Sequence, residues 1–371
     1  MKLSSTNILI IVAVFLLITS MLLFFVGPEL IQARYYSISE GAERAQRSAE
    51  RGQMGDSFGG TMGPVIAWIA AILTFAAFYI QYESNKEQRS QFAKQANDTM
   101  IERFESRFFE LIRLHRENVE EQNIQDIIKG RKVFTTYYFE LRYIYLVLEN
   151  MHDNNPPVKT LNKQELTNLA YLIFFFGIGH VTTSVFEHIT PKYIKEDFFI
   201  KTLERLEKEK NEYKKIANQV EIAKTRPGLQ IPILNDLVIE HKGKKAIFIQ
   251  VYQPFTGHGT KIGHYYRHLF QTVKYVATQE HELFTPKLKY SYVKTLRAQL
   301  SNFEQVLFYY NSVSILGKAW IKNKYIKDYK LIVNLPLSFA DFGIEPEEMF
   351  KAEIISNTDF FDWNSFKNAL S

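Results

Sequence analysis

The chain has 371 residues, of which 46% are hydrophobic and 15% aromatic, and it carries a net charge of +5. The 30 Phe and 21 Tyr exclude a disordered polypeptide and are enough for a sizeable core. With no cysteine, disulfides, thiolate metal sites and cysteine nucleophiles are ruled out, and the mild positive balance does not by itself indicate nucleic acid.

Two uncharged runs open the chain. "ILIIVAVFLLITSMLLFFV", residues 8–26, is long enough at about 1.5 Å per residue to match a hydrocarbon core. Gly27, Pro28 and Glu29 follow it in place of a small-residue cleavage site, which favours a retained anchor over a cleaved signal. The second run, residues 63–80, starts "GPVIAWIA" and is flanked by Tyr79 and Tyr82, which suit a membrane interface, with Pro64 suited to a first helical turn. Together they predict a two-helix transmembrane hairpin over residues 1–82, with an exposed loop, 27–62, containing a short charged helix. Lys2, Lys86, Arg89 and Lys94 favour both termini in the cytoplasm, although the loop's own arginines weaken the contrast.

The remainder predicts a cytosolic helical-bundle domain over 83–338, so the fold class is mainly α. Phe92, Ala96, Met100, Phe104, Phe108, Leu111 and His115 form one helical stripe that continues to about Lys129. Phe134 to Leu148 predicts a second helix, closed by "HDNNPPVK", and Lys163 to Phe176 a third, too short in its apolar part to span a bilayer. Thr190-Pro191 reads as the start of a long charged helix, and the β-branched runs around Lys242-Gly243-Lys244 predict a β-hairpin. These two elements form an insertion over 191–255. Helices then resume at Gly263, from about Lys289 to Ile315, and at "KAWIKNKYIKDYK", before a C-terminal tail, 339–371.

The chemistry-bearing stretch is "TGHGTKIGHYYRHLFQ". As a helix it sets Tyr266, Leu269, Phe270, Val273 and Val276 on an apolar face, with His264, His268 and Gln271 on another and Arg267 beside them. Three readings compete. The preferred one is structural: histidines and arginine capping loops in an aromatic bundle. The next is an anion pocket at a glycine-led helix start, with Lys261, His264 and Arg267 as donors. The third, a two-histidine metal site, lacks a third ligand, and no metal or cofactor is assigned. Catalytic candidates are His115, His264, Arg267 and His268, since imidazole titrates near neutrality. Arginine followed by histidine after four to six residues, the mark of one helical RNase class, is absent. Arg113, Arg116, Glu117, Gln271, Arg297, Gln299 and Asn311 are unusually polar for otherwise apolar helices and suggest a hydrogen-bond network, in which Arg267 or Arg297 would pair with Glu110 or Glu304.

"RFFELIRLHREN", "GRKVF", "GHYYRHLFQTVKYV" and "LRAQLSNFEQVLFYYN" together resemble, in order and rough spacing, the phage abortive infection protein family known as AbiC-like, over about residues 65–335. The resemblance implies a helical body behind a membrane hairpin and bacterial antiphage defence by killing or arresting the infected cell. It carries over Arg113, His115, Arg116, Glu117, Gly130, Arg131, His264, Arg267, His268, Gln271, Arg297, Gln299 and Asn311, but no settled chemistry. The expected setting is the bacterial cytoplasmic (inner) membrane, multi-pass, with the C-terminal domain in the cytoplasm. The partners are the lipid bilayer, further copies of the chain in a homo-oligomer and a phage-encoded trigger protein, with nucleic acid kept as an unsupported option. The rival reading is a metal-independent RNase or a nucleotide-binding effector using the Gly257–His268 region.

Overall fold

The structure is a computed structural model, and it describes residues 44–157, 159–226, 230, 233–356, 360 and 361, together with 11, 12, 14–19, 21, 22 and 26. The chain divides into two compact units, residues 1–102 and 103–371. Among the described residues it is mostly helical, with two small β-hairpins.

In the first unit the described residues of the 8–26 run are helical, and the rest of that run lies outside the described residues. Helix α1 is Arg44–Glu120 and takes in the second apolar run. The loop expected over 27–62 is therefore already helical from residue 44, and Pro64 sits inside the helix and not in its first turn. Proline's fixed φ is helical; what it removes is one N–H, and its ring crowds the carbonyl four residues back, which here belongs to Gly60. Among the described residues one helix is long and apolar enough to cross a membrane, by length and composition, and it is this one. Within the apolar run of residues 63–80 large side chains are exposed: Trp68 and Phe75 are each 73% exposed. Among the described residues the expected two-span hairpin is thus represented by one such helix; residues 8–10, 13, 20 and 23–25 of the first arm lie outside them.

The second unit holds the core. Phe104, Phe108, Ile112, His115 and Val119 of α1 recur at helical spacing and are all buried. The helix ends at Glu120, short of the expected Lys129. A hairpin of β1, Asn123–Ile124, and β2, Ile128–Lys129, replaces the last turns. The Asn123 side chain accepts from the Asp126 N–H at 2.8 Å, and Gln125 and Asp126 take left-handed φ, so the local side-chain bond competes with the helix and wins.

Helix α2, Lys132–Asn154, is the centre of the bundle, with both flanks buried from Val133 to Leu148. Helix α3, Lys163–Phe176, begins with a capping box between Asn162 and Glu165 and packs on α2. A short helix α4, His180–Ile189, follows, so Thr190 caps its C-terminus and does not start the next helix. Its hydroxyl donates to the Phe186 carbonyl at 2.9 Å, and the charged helix α5 begins only at Asp197, running to Thr225. The hairpin of β3, Leu237–His241, and β4, Lys244–Phe248, turns at Lys242-Gly243 as expected, both residues having the positive φ a tight two-residue turn needs.

Helix α6 is Gly259–Ala277. The single helix expected from about Lys289 to Ile315 is instead two, α7 (Pro286–Arg297) and α8 (Asn302–Val313). Ser301 and Glu304 form a capping box, which starts a new helix wherever the preceding backbone is extended. Short helices α9 (Lys318–Lys322), α10 (Tyr325–Asp328), α11 (Pro346–Met349) and α12 (Lys351–Ser356) complete the unit. The described part of the tail is tied to the core: Phe342 and Phe350 are buried, and the hydroxyls of Tyr309 and Tyr310 donate to the Ile344 and Phe342 carbonyls at 2.7 and 2.8 Å.

Candidate functional site

The four stretches singled out in the sequence meet in the second unit. His115 comes from the last turns of α1. Arg131 follows the Gly130 turn that leads into α2. His268 and Tyr265 stand on α6, and Gln299 and Glu304 on the corner between α7 and α8.

The centre is a pair of imidazoles. The rings of His115 and His268 lie 6.0 Å apart, nearly parallel at 21°, and His115 also packs on Tyr265 at 5.1 Å. His115 is 1% exposed and His268 half-buried. Both ring nitrogens of each are buried with no hydrogen-bond partner among the described residues. Burial pushes the His115 imidazole down to about 3, with His268 and then Arg131 adding to the effect. His268 is lowered as well, by burial first and by His264 second.

Around the pair runs a charged network. The fully buried Glu304 accepts from the Tyr265 hydroxyl at 3.1 Å and pairs with Arg131 Nε at 3.2 Å. The Tyr265 hydroxyl is held far above its usual range by burial and then by the Glu304 charge. Arg131 also donates to the Gln299 carbonyl at 3.0 Å, while Arg116 donates to the Gln299 side chain at 3.1 Å. Burial thus disfavours the protonated form of both imidazoles, while Arg131 is engaged by Glu304 and Arg116 by Gln299.

The remaining candidates are dispersed. Arg113 lies on the exposed face of α1, bridging Glu110 at 2.7 Å and Glu117. Arg297 is buried and donates to the Lys330 carbonyl at 2.8 Å, and the Arg267 Nε donates to the Gly263 carbonyl at 3.2 Å. The pairing of Arg267 or Arg297 with Glu110 or Glu304 therefore does not form, because Arg113 and Arg131 reach those acids first. Lys261 and His264 are exposed on α6. Among the described residues no group of three or more His, Cys, Asp or Glu side chains could hold a metal ion.

Arg267, Gln271 and Asn311 gather at a second place, a cleft of about 520 Å³ between α6, the end of α3 and the turn into α9. The glycines before and within α6 have a packing reason. Gly177 and Gly257 both have positive φ, and a Cβ on either would lie 2.4–2.5 Å from the other strand's backbone. The two chains cross there at a distance only glycine allows.

Sequence reasoning missed one buried cluster. Glu140, fully buried, accepts from the Phe255 N–H at 2.9 Å, from the Tyr252 hydroxyl and from His258 Nε2 at 2.9 Å. The available signal was the one acid inside the aromatic run "YYFELRYIY". This carboxylate ties the chain before α6 onto α2 and so sets where α6 begins.

Residues 257–340 match the model of a family described as "Putative phage abortive infection protein". The match takes in α6, α7 and α8, hence His268, Tyr265, Gln299 and Glu304; His115, Arg116 and Arg131 lie before it. No curated protein and no solved structure matches the chain.

Proposed function

Because its residues 257–340 match the phage abortive infection family, we propose that this protein is a membrane-anchored bacterial antiphage defence protein that kills or arrests the infected cell. The apolar run in α1 supports the anchor, and the first run supplies a second span, so the protein is multi-pass in the cytoplasmic membrane with its C-terminal body in the cytoplasm. A phage-encoded trigger shifts the body between two packings, biased through the polar network, and several copies acting together damage the membrane or stop growth. The observation that carries this reading is the family match. Its weight is increased by the meeting of matched residues (His268, Glu304) with unmatched ones (His115, Arg131) in one network.

A second reading, metal-independent RNA cleavage using the Gly257–His268 region, rests on the half-buried His268 imidazole set against His115. One experiment separates them. Cells carrying the wild-type gene, or His268→Ala, are infected while plaque number, RNA integrity and dye-reported membrane polarisation are followed together. Depolarisation with intact RNA, lost in the variant, supports the membrane reading; RNA cleavage lost in the variant supports the second. Full protection by a variant that folds and inserts refutes any role for the pair.

A further inference from the structure

The cleft beside α6 has a composition that the defence role leaves unused. One wall is the face of α6 that carries Arg267, Phe270 and Gln271, and Phe175 leans against it. A Cβ at Gly259 would lie 2.7 Å from the Phe175 ring and one at Gly263 would lie 3.1 Å from it, so the two glycines seat that ring. Trp320, 2% exposed, packs edge-on against Phe270 at 4.9 Å, and Asn311 also lines the cleft. Asn311 is 5% exposed, and its Nδ2 donates to the buried Tyr171 hydroxyl at 2.9 Å, which fixes the amide in the cleft lining. Among the described lining residues Arg267 is the one charged side chain. It sits exposed at the mouth with no carboxylate partner among the described residues.

Each feature narrows the ligand. A guanidinium with no carboxylate partner among the described residues selects an anion. Aromatic rings that line the walls select a flat π-system. Two amides, one fixed and one free to turn, suit a base edge that offers a donor beside an acceptor, as adenine does with N6–H2 and N7. The volume falls within the range of small-molecule sites.

We propose that this cleft binds an adenine nucleotide, with the base against Phe175 and Phe270, its edge read by Gln271 and Asn311, and the phosphate held by Arg267. The inference goes beyond the defence role and survives if that role is wrong, because its test reads binding alone. The full-length protein in detergent is titrated calorimetrically with AMP, adenosine, inorganic phosphate, GMP and CMP. AMP binds saturably, and adenosine binds about tenfold or more weakly for want of the charged contact. Arg267→Glu weakens AMP by about tenfold or more and leaves adenosine within about twofold, whereas Gln271→Leu weakens both. Both positions are exposed, and an unchanged thermal melt confirms that the variants fold. The proposal is overturned if AMP gives no saturable heat up to about 1 mM. It is equally overturned if phosphate alone, GMP or CMP binds as tightly as AMP, or if Arg267→Glu leaves AMP binding unchanged.

Discussion

His115 and Glu140 are both buried ionisable groups, and they behave in opposite ways. Glu140 has three donors, so its charge is compensated. Replacing it with alanine strands His258 and the Tyr252 hydroxyl in the core and should cost about 3 kcal/mol or more, read as a lowered unfolding midpoint of the full-length protein in detergent. His115 has no hydrogen-bond partner among the described residues, and its folded pKa lies below the ordinary histidine value. Between those two values the unfolded chain binds more protons than the folded one. Stability is therefore whole above about pH 6.5 and is lost as pH falls toward the folded pKa, at about 1.4 kcal/mol per unit. The thermal midpoint of the wild type should drop more steeply between about pH 7 and pH 5 than that of His115→Phe, which cannot titrate. Equal slopes would mean that the ring is solvated.

At the scale of elements, the start of α6 depends on a crossing of two backbones. Gly177 and Gly257 touch through their main chains, and Gly243, at the β3–β4 turn, shares their positive φ but has open space around it. The comparison isolates the crossing. Gly243→Ala should cost about 1 kcal/mol, the left-handed penalty alone. Gly257→Ala adds a collision with the Phe176–Gly177 backbone and should cost at least about 2 kcal/mol. Denaturation midpoints of the two variants check this, and equal losses would exclude the close approach. The corner between α7 and α8 belongs to the same scale: Ser301 and Glu304 start α8, and the same carboxylate anchors Tyr265 and Arg131. A residue spent on a helix cap here also fixes the charged surround of the imidazole pair.

For the whole molecule the decisive property is the exposed apolar surface of residues 63–80, where Trp68, Ile72, Phe75 and Phe78 all face outward. Such a run in water would be a large aggregation-prone patch; in a bilayer it needs no cover. Ile72→Arg places a charge near its middle, at a cost of about 2.5–3.5 kcal/mol for membrane insertion. The variant should move partly from the carbonate-resistant membrane fraction to the soluble or aggregated one. A wild type that is fully soluble without detergent would refute the anchor. In the proposed orientation, a reporter fused after Ser371 should be active only as a cytoplasmic reporter.

What the sequence determined by itself were the features set by neighbours along the chain: the apolar periodicity of the helices, the Lys242-Gly243 turn, the uncharged run in α1, and the ordered motifs behind the family resemblance. The Ser301–Glu304 capping pattern stands in the sequence too, although the expected helix ran through it from about Lys289 to Ile315. Tertiary structure decided the partners. Nothing near His115 in the chain indicates that it will face His268, that Arg131 rather than Arg267 or Arg297 will neutralise Glu304, or that Arg267, Gln271 and Asn311 will share a cleft. Hydrogen bonds and burial energies depend on distances between side chains far apart in the chain, and periodicity specifies which face of a helix is turned inward but not what it meets there.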